Sequence, residues 1–118
     1  MSKNETILVV DDEAAIRKLT AEILESQGYC VFLASNAEDA LDVLQSESIA
    51  LVVSDVVMPG IDGFQLIEKV KRQHPGVKIL LISGYNDYIA QGNSVEMLNK
   101  PFRSAELIFS VKKLFTAN

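Results

Sequence analysis

The sequence predicts an α/β fold: a five-stranded parallel sheet wound on both faces by helices, a three-layer α/β/α sandwich. Three observations predict it. The apolar runs are continuous rather than alternating, which suits strands covered on both faces. Each run gives way to a stretch with helical apolar spacing, so strands and helices alternate along the chain. No two neighbouring runs read as a hairpin, which leaves right-handed βαβ units as the connection.

Thr6-Ile7-Leu8-Val9-Val10 reads as a central strand closed by acids. Ile16, Leu19 and Ile23 follow at helical spacing and are expected on the inner face of a helix of about four turns. Gly28 sits where a helix C-terminus wants a residue tolerant of the left-handed conformation. Cys30-Val31-Phe32-Leu33-Ala34 is the second strand, with Cys30 expected as a small core residue. Ser35-Asn36-Ala37-Glu38 has the spacing of a capping box, ahead of a helix that turns Ala37, Ala40, Leu41 and Leu44 inward.

Ile49-Ala50-Leu51-Val52-Val53-Ser54 is the third strand, and Pro59-Gly60 and Asp62-Gly63 mark a loop. A helix over 64–72 then carries Ile67 and Val70 inward, and His74 before Pro75-Gly76 is expected to cap carbonyls or meet solvent. Lys78-Ile79-Leu80-Leu81-Ile82-Ser83 is the fourth strand. Over 84–94 the periodicity weakens, and a helix over 86–91 is barely two turns, so a shortened fourth helix is expected. Val95-Glu96-Met97-Leu98 makes the last strand, and Leu107, Ile108, Val111, Leu114 and Phe115 form the inner stripe of a closing helix.

With 118 residues and 48% hydrophobic content, one domain over 1–118 with its core at about 6–116 is expected. Eleven Lys and Arg stand against 16 Asp and Glu, a net charge of -5 that opposes direct nucleic-acid binding. The single cysteine cannot form an internal disulfide, no signal-peptide pattern opens the sequence, and no apolar stretch nears the roughly 20 residues that span a bilayer. A soluble cytoplasmic domain, monomeric or weakly dimeric and without membrane contact, is the expectation.

In doubly wound sheets the functional crevice lies beyond the carboxyl ends of the strands. There the first strand ends in Asp11-Asp12-Glu13, the third in Ser54-Asp55, the fourth in Ser83-Gly84 and the fifth in Asn99-Lys100-Pro101. For strand order 2-1-3-4-5, strands one and three are neighbours, so Asp11, Asp12 and Asp55 converge. Like charges about 4 Å apart repel by roughly 4 kcal/mol at an effective dielectric of 20, and a hard, oxygen-binding ion such as Mg²⁺ removes that penalty. Mg²⁺ keeps waters and completes its shell with phosphate oxygens, so the rim suggests a phosphoryl substrate. Lys100 and Ser83 would hold two phosphoryl oxygens, and one carboxylate would be the nucleophile that forms an aspartyl phosphate.

From about Thr6 to Phe115 the chain resembles the receiver domain of two-component response regulators. Val9-Val10-Asp11-Asp12-Glu13, Asp55-Val56-Val57-Met58-Pro59-Gly60-Ile61-Asp62-Gly63, Ile82-Ser83-Gly84 and Lys100-Pro101-Phe102 carry the resemblance. It implies a flavodoxin-like fold, Asp55 as phosphoacceptor, Asp12 as a direct Mg²⁺ ligand and Asp11 acting mainly through water. It also implies that Val57 lends its backbone carbonyl, Ser83 its hydroxyl and Lys100 its ammonium, with a cis peptide before Pro101. Mn²⁺ is the alternative ion. The implied partner is a histidine kinase or histidine phosphotransfer domain, and the implied activity is self-phosphorylation followed by slow release of phosphate rather than turnover of a free substrate. Ile82-Ser83-Gly84-Tyr85 and Leu98-Asn99-Lys100-Pro101-Phe102 look most like receivers of hybrid sensor histidine kinases.

Two departures fall on the family's usual output face. Met97 stands where relatives often place Tyr or Phe, and the segment between Ser83 and Lys100 is short. Signalling is therefore expected to work by ordering the 84–94 loop, with Met97 repacking around it, rather than by an aromatic rotamer switch. Two other functions compete. A metal-dependent phosphatase with an aspartyl intermediate would want a second acid two residues after the nucleophile, where this chain has Val57. A phosphorylation-independent interaction module would not need Asp11, Asp12, Asp55, Ser83 and Lys100 together.

Overall fold

A computed structural model describes residues 5–84 and 96–116. The elements follow the expected alternation: β1 (Thr6–Val10), α1 (Ala14–Glu25), β2 (Cys30–Ala34), α2 (Ala37–Ser46), β3 (Leu51–Asp55), α3 (Gly63–Gln73), β4 (Lys78–Ser83), β5 (Glu96–Asn99) and α4 (Ser104–Thr116). The five strands form one sheet in the order β2-β1-β3-β4-β5, and every pairing is parallel. The expected helix over 86–91, and with it the shortened fourth helix, falls outside the described residues, as does Val95.

Alternation along the strands builds two cores. Leu8, Val10, Val52 and Leu81 face α2 and α3, where they meet Ala40, Leu44, Leu66 and Val70. Ile7, Val9, Leu51, Val53, Leu80 and Ile82 face the other way and meet Leu24 of α1 and Leu107 and Val111 of α4. Burial of both faces is what continuous apolar runs demand, and β3, at the centre of the sheet, is buried at every position.

The helix faces differ from expectation in one place. Leu19 is 51% exposed, and Thr20, Ala21 and Leu24 point inward instead. Ile16 and Ile23 are only half-buried, because the sheet-facing stripe of α1 runs one residue later than the Ile16–Leu19–Ile23 series suggests. The C-terminus of α1 behaves as expected, with Gly28 at a φ of 93° and its N–H donating to the Glu25 carbonyl.

Cys30 is exposed rather than buried, since β2 is the edge strand and only Ala34 of its five residues is buried. The capping box expected at Ser35 does not form. Asn36 is the N-cap of α2 and its side chain accepts from the Asp39 N–H, while a full capping box stands ahead of α3, between Asp62 and Gln65. His74 ends α3, its N–H donating to Val70 and its carbonyl accepting from Val77. Its Nε2 is buried and without a hydrogen-bond partner, so the side chain neither caps a carbonyl through that atom nor shows it to solvent.

Candidate functional site

Parallel pairing puts every strand's carboxyl end on one rim. The register sets Val10 beside Ser54, Asp55 beside Ile82 and Ser83 beside Asn99, so Asp11, Asp55, Ser83 and Lys100 emerge next to one another. Carboxylate oxygens of Asp11, Asp12 and Asp55 all lie within 4.8 Å of one another. Lys100 Nζ reaches Asp55 Oδ2 at 3.3 Å and Asp11 Oδ2 at 3.7 Å. The rim thus gathers three acids and one ammonium.

Two turns deliver the acids. In the first, Asp11 N–H donates to the Ala34 carbonyl, Asp11 Oδ1 accepts the Glu13 N–H at 2.9 Å, and Arg17 Nη1 donates to the Asp11 carbonyl at 2.7 Å. Glu13, the N-cap of α1, makes no side-chain cap of its own. Asp11 therefore does serve a local purpose, tying down the turn before the helix, while its other oxygen faces Lys100. Asp12 beside it is exposed.

The second turn is held by backbone. Val56 N–H donates to the Ile82 carbonyl, and Gly63 N–H donates to the Val56 carbonyl at 2.8 Å. A Cβ at Gly63 would clash with the Asp55 carbonyl oxygen and come within 2.8 Å of Val56 Cα, so only glycine lets α3 begin this close to the end of β3. Val56 and Met58 anchor the intervening loop in the core, and Val57 between them is exposed, leaving its segment at the rim. Sequence reasoning read Gly63 as a loop residue and as the end of a motif carrying the resemblance, not as a point of close backbone approach, and did not single out Arg17. The Asp-Gly pair ahead of a helical stretch was the available signal for the first; an Arg six residues after an acid carries no comparable signal for the second.

Burial sets the electrostatics. Asp11 is 3% and Asp55 7% exposed. Burial lifts the Asp11 carboxyl above its ordinary value of 3.8; the Glu13 N–H and the Lys100 ammonium oppose the shift, and the neighbouring Asp55 and Asp12 charges add to it. Three carboxylates facing one ammonium leave a negative excess in an all-oxygen donor set, which suits a hard divalent cation such as Mg²⁺. Ser83 is fully buried at the end of β4, and its carbonyl accepts the Lys100 N–H at 2.7 Å, which couples the two strand ends. The peptide between Lys100 and Pro101 is cis, as expected. Met97 is half-buried and packs against the core beneath α2 and α3. The loop expected to order around it lies outside the described residues beyond Gly84.

Comparison with known proteins covers the same stretch of chain. The response regulator receiver domain family matches residues 7–112. Sporulation initiation phosphotransferase F of Bacillus subtilis (strain 168) is 34% identical over 115 residues, covering 93% of this chain and 93% of that protein. The sensor kinase CckA of Brucella abortus (strain 2308) is 35% identical over 97% of this chain, which spans only 13% of that kinase. Among solved structures, the response regulator protein TrrA of Thermotoga maritima, in complex with Mg²⁺ and BeF, shares 38% identity and a TM-score of 0.87 over 93% of this chain and 98% of that one. Since the family match runs through both acidic turns and on past Lys100, over a sheet of the same architecture, this chain belongs to the response regulator receiver domain family of two-component signalling.

Proposed function

We propose that Asp55 accepts a phosphoryl group from a phosphohistidine and that the whole chain acts as one receiver unit. An Asp55 oxygen attacks phosphorus, the phosphorus–nitrogen bond breaks, and the histidine leaves as imidazole, taking up a proton. The product is a mixed carboxylic–phosphoric anhydride, which water later cleaves to phosphate and the free carboxylate. The observation that carries this reading is the single ammonium of Lys100 within 3.3 Å of Asp55 Oδ2, beside a cluster of three acids.

Lys100 is placed to neutralise Asp55 before transfer and a phosphoryl oxygen after it. Ser83 takes a second oxygen through its hydroxyl. Mg²⁺, or Mn²⁺ in its place, would be held by Asp12 and Asp55, with Asp11 through water and the Val57 carbonyl, and supplies charge neutralisation for the phosphoryl oxygens. The donor is a histidine kinase or histidine phosphotransfer domain. Its docking is supported by an apolar groove of about 420 Å³ lined by Ile16, Leu19, Gly84, Lys100, Pro101 and Phe102, which borders the acceptor. The exposure of Leu19, unexplained by the core, fits contact with such a partner.

Among the described residues no helix is long and apolar enough to cross a membrane. Incubation with Mg²⁺ and a small acyl-phosphate donor, read by intact mass, tests the reading. One added phosphoryl group, absent in Asp55→Asn and absent with chelator, is expected; label persisting in Asp55→Asn contradicts it.

A further inference from the structure

Arg17 is the one side chain from the body of α1 that bonds the acidic turn among the described residues. Its Nη1 donates to the Asp11 carbonyl at 2.7 Å, across six positions of chain, while its own N–H donates to the Glu13 carbonyl in the first turn of the helix. The start of α1 lacks the side-chain cap that normally fixes where a helix begins, because Glu13 caps nothing. Two bonds stand in for it: Asp11 Oδ1 with the Glu13 N–H, and Arg17 with the Asp11 carbonyl. They clamp the turn from both ends. Between the clamped points sits Asp12, exposed, its side chain without a hydrogen bond or ion pair among the described residues.

We propose that Arg17 is a positioning residue for the cation site, fixing the β1–α1 turn so that the Asp12 carboxylate stays in register with Asp11 and Asp55. The proposal rests on the reading of the rim as a divalent-cation site. It makes a prediction opposite in sign to simple electrostatics. A guanidinium beside a cation site repels the cation, so removing its charge should tighten binding if charge were its main effect. If position is its main effect, removal loosens binding, since a carboxylate that samples other orientations must be ordered when the ion arrives.

The test titrates wild type, Arg17→Met and Arg17→Lys with Mg²⁺ alone, following backbone amide shifts at Asp12 and Asp55, with melting temperatures recorded in chelator. Methionine keeps length and loses both donor and charge; lysine keeps a donor and the charge. Expected is about tenfold weaker Mg²⁺ binding in Arg17→Met, with most of the loss recovered in Arg17→Lys. A purely structural arginine would lower the melting temperature without changing the affinity of the folded protein, so unchanged affinity in Arg17→Met overturns the proposal, as does tighter binding. A lysine variant as weak as the methionine one overturns it too. A flat wild-type titration overturns the cation reading itself and this proposal with it, and is seen before any variant is compared.

Discussion

The two turns that bring acids to the rim differ in how much of their hold is side chain and how much is backbone. The β1–α1 turn is held by side chains: the Asp11 carboxylate on the Glu13 N–H and the Arg17 guanidinium on the Asp11 carbonyl. The β3–α3 turn is held by backbone bonds from Val56 and Gly63, by a helix start pressed against Asp55, and by the Asp62–Gln65 capping box. The first displays an exposed acid and the second a buried one. The proposed nucleophile and the proposed ligand thus receive different treatment. Asp55, proposed to form the covalent bond, is fixed by elements that no single side chain controls, whereas Asp12 is fixed by contacts that substitution can graduate.

That contrast orders the expected effects of mutation. Gly63→Ala should be the most damaging, because the added carbon meets main chain rather than a yielding side chain; overpacking of this kind costs about 1–3 kcal/mol. Thermal melting should show it, and an unchanged melting temperature would mean that α3 can retreat from Asp55 freely. Asp62→Ala removes one half of the capping box and should cost about 1 kcal/mol, read as a fall in denaturation midpoint at constant slope. No fall would show that the Gly63 and Val56 bonds hold the turn unaided.

In the side-chain-held turn the sign reverses. Burial raises the Asp11 carboxyl, so the folded protein keeps this proton to higher pH than the unfolded chain does. Stability from this group is therefore present at low pH and lost as pH rises from 3.8 through the raised folded value. Asp11→Asn keeps the acceptor for the Glu13 N–H and removes the buried charge, so with chelator present at neutral pH it should raise the melting temperature. A lower melting temperature would show that Lys100 already compensates Asp11. Asp12→Ala should raise the chelated melting temperature by less, since its carboxylate is exposed, yet should abolish the Mg²⁺-induced rise in stability. A full Mg²⁺ response in that variant would remove Asp12 from the site.

The backbone-held parts of this site were the more legible in the sequence. Continuous apolar runs located the strands, and parallel topology alone then put Asp11, Asp55, Ser83 and Lys100 on one rim, because each closes or follows a run. What escaped depended on contacts between residues that no periodicity links. Leu19 continues the helical spacing of Ile16 and Ile23, yet the sheet meets α1 along Thr20, Ala21 and Leu24, and hydropathy cannot locate a stripe to within one residue. Cys30 was misplaced because a strand that reads as apolar gives no sign of lying at the edge. Ser35 and Asn36 both suit an N-cap, and only the helix start decides between them. Arg17 looks like any exposed-face arginine until its reach to the Asp11 carbonyl is seen.

The central claim is that both turns and the ends of β4 and β5 act as one phosphoryl site. Addition of Mg²⁺ with a beryllofluoride mimic of the phosphoryl group, followed by backbone NMR, tests this most directly. Amides of Asp12 and Glu13, of Asp55 to Val57, of Ser83 and Gly84, and of Lys100 should shift together with a single apparent affinity, and none should shift in Asp55→Asn on addition of the mimic beyond the change that Mg²⁺ alone produces. Shifts confined to one turn, or separate affinities for the two, would contradict it.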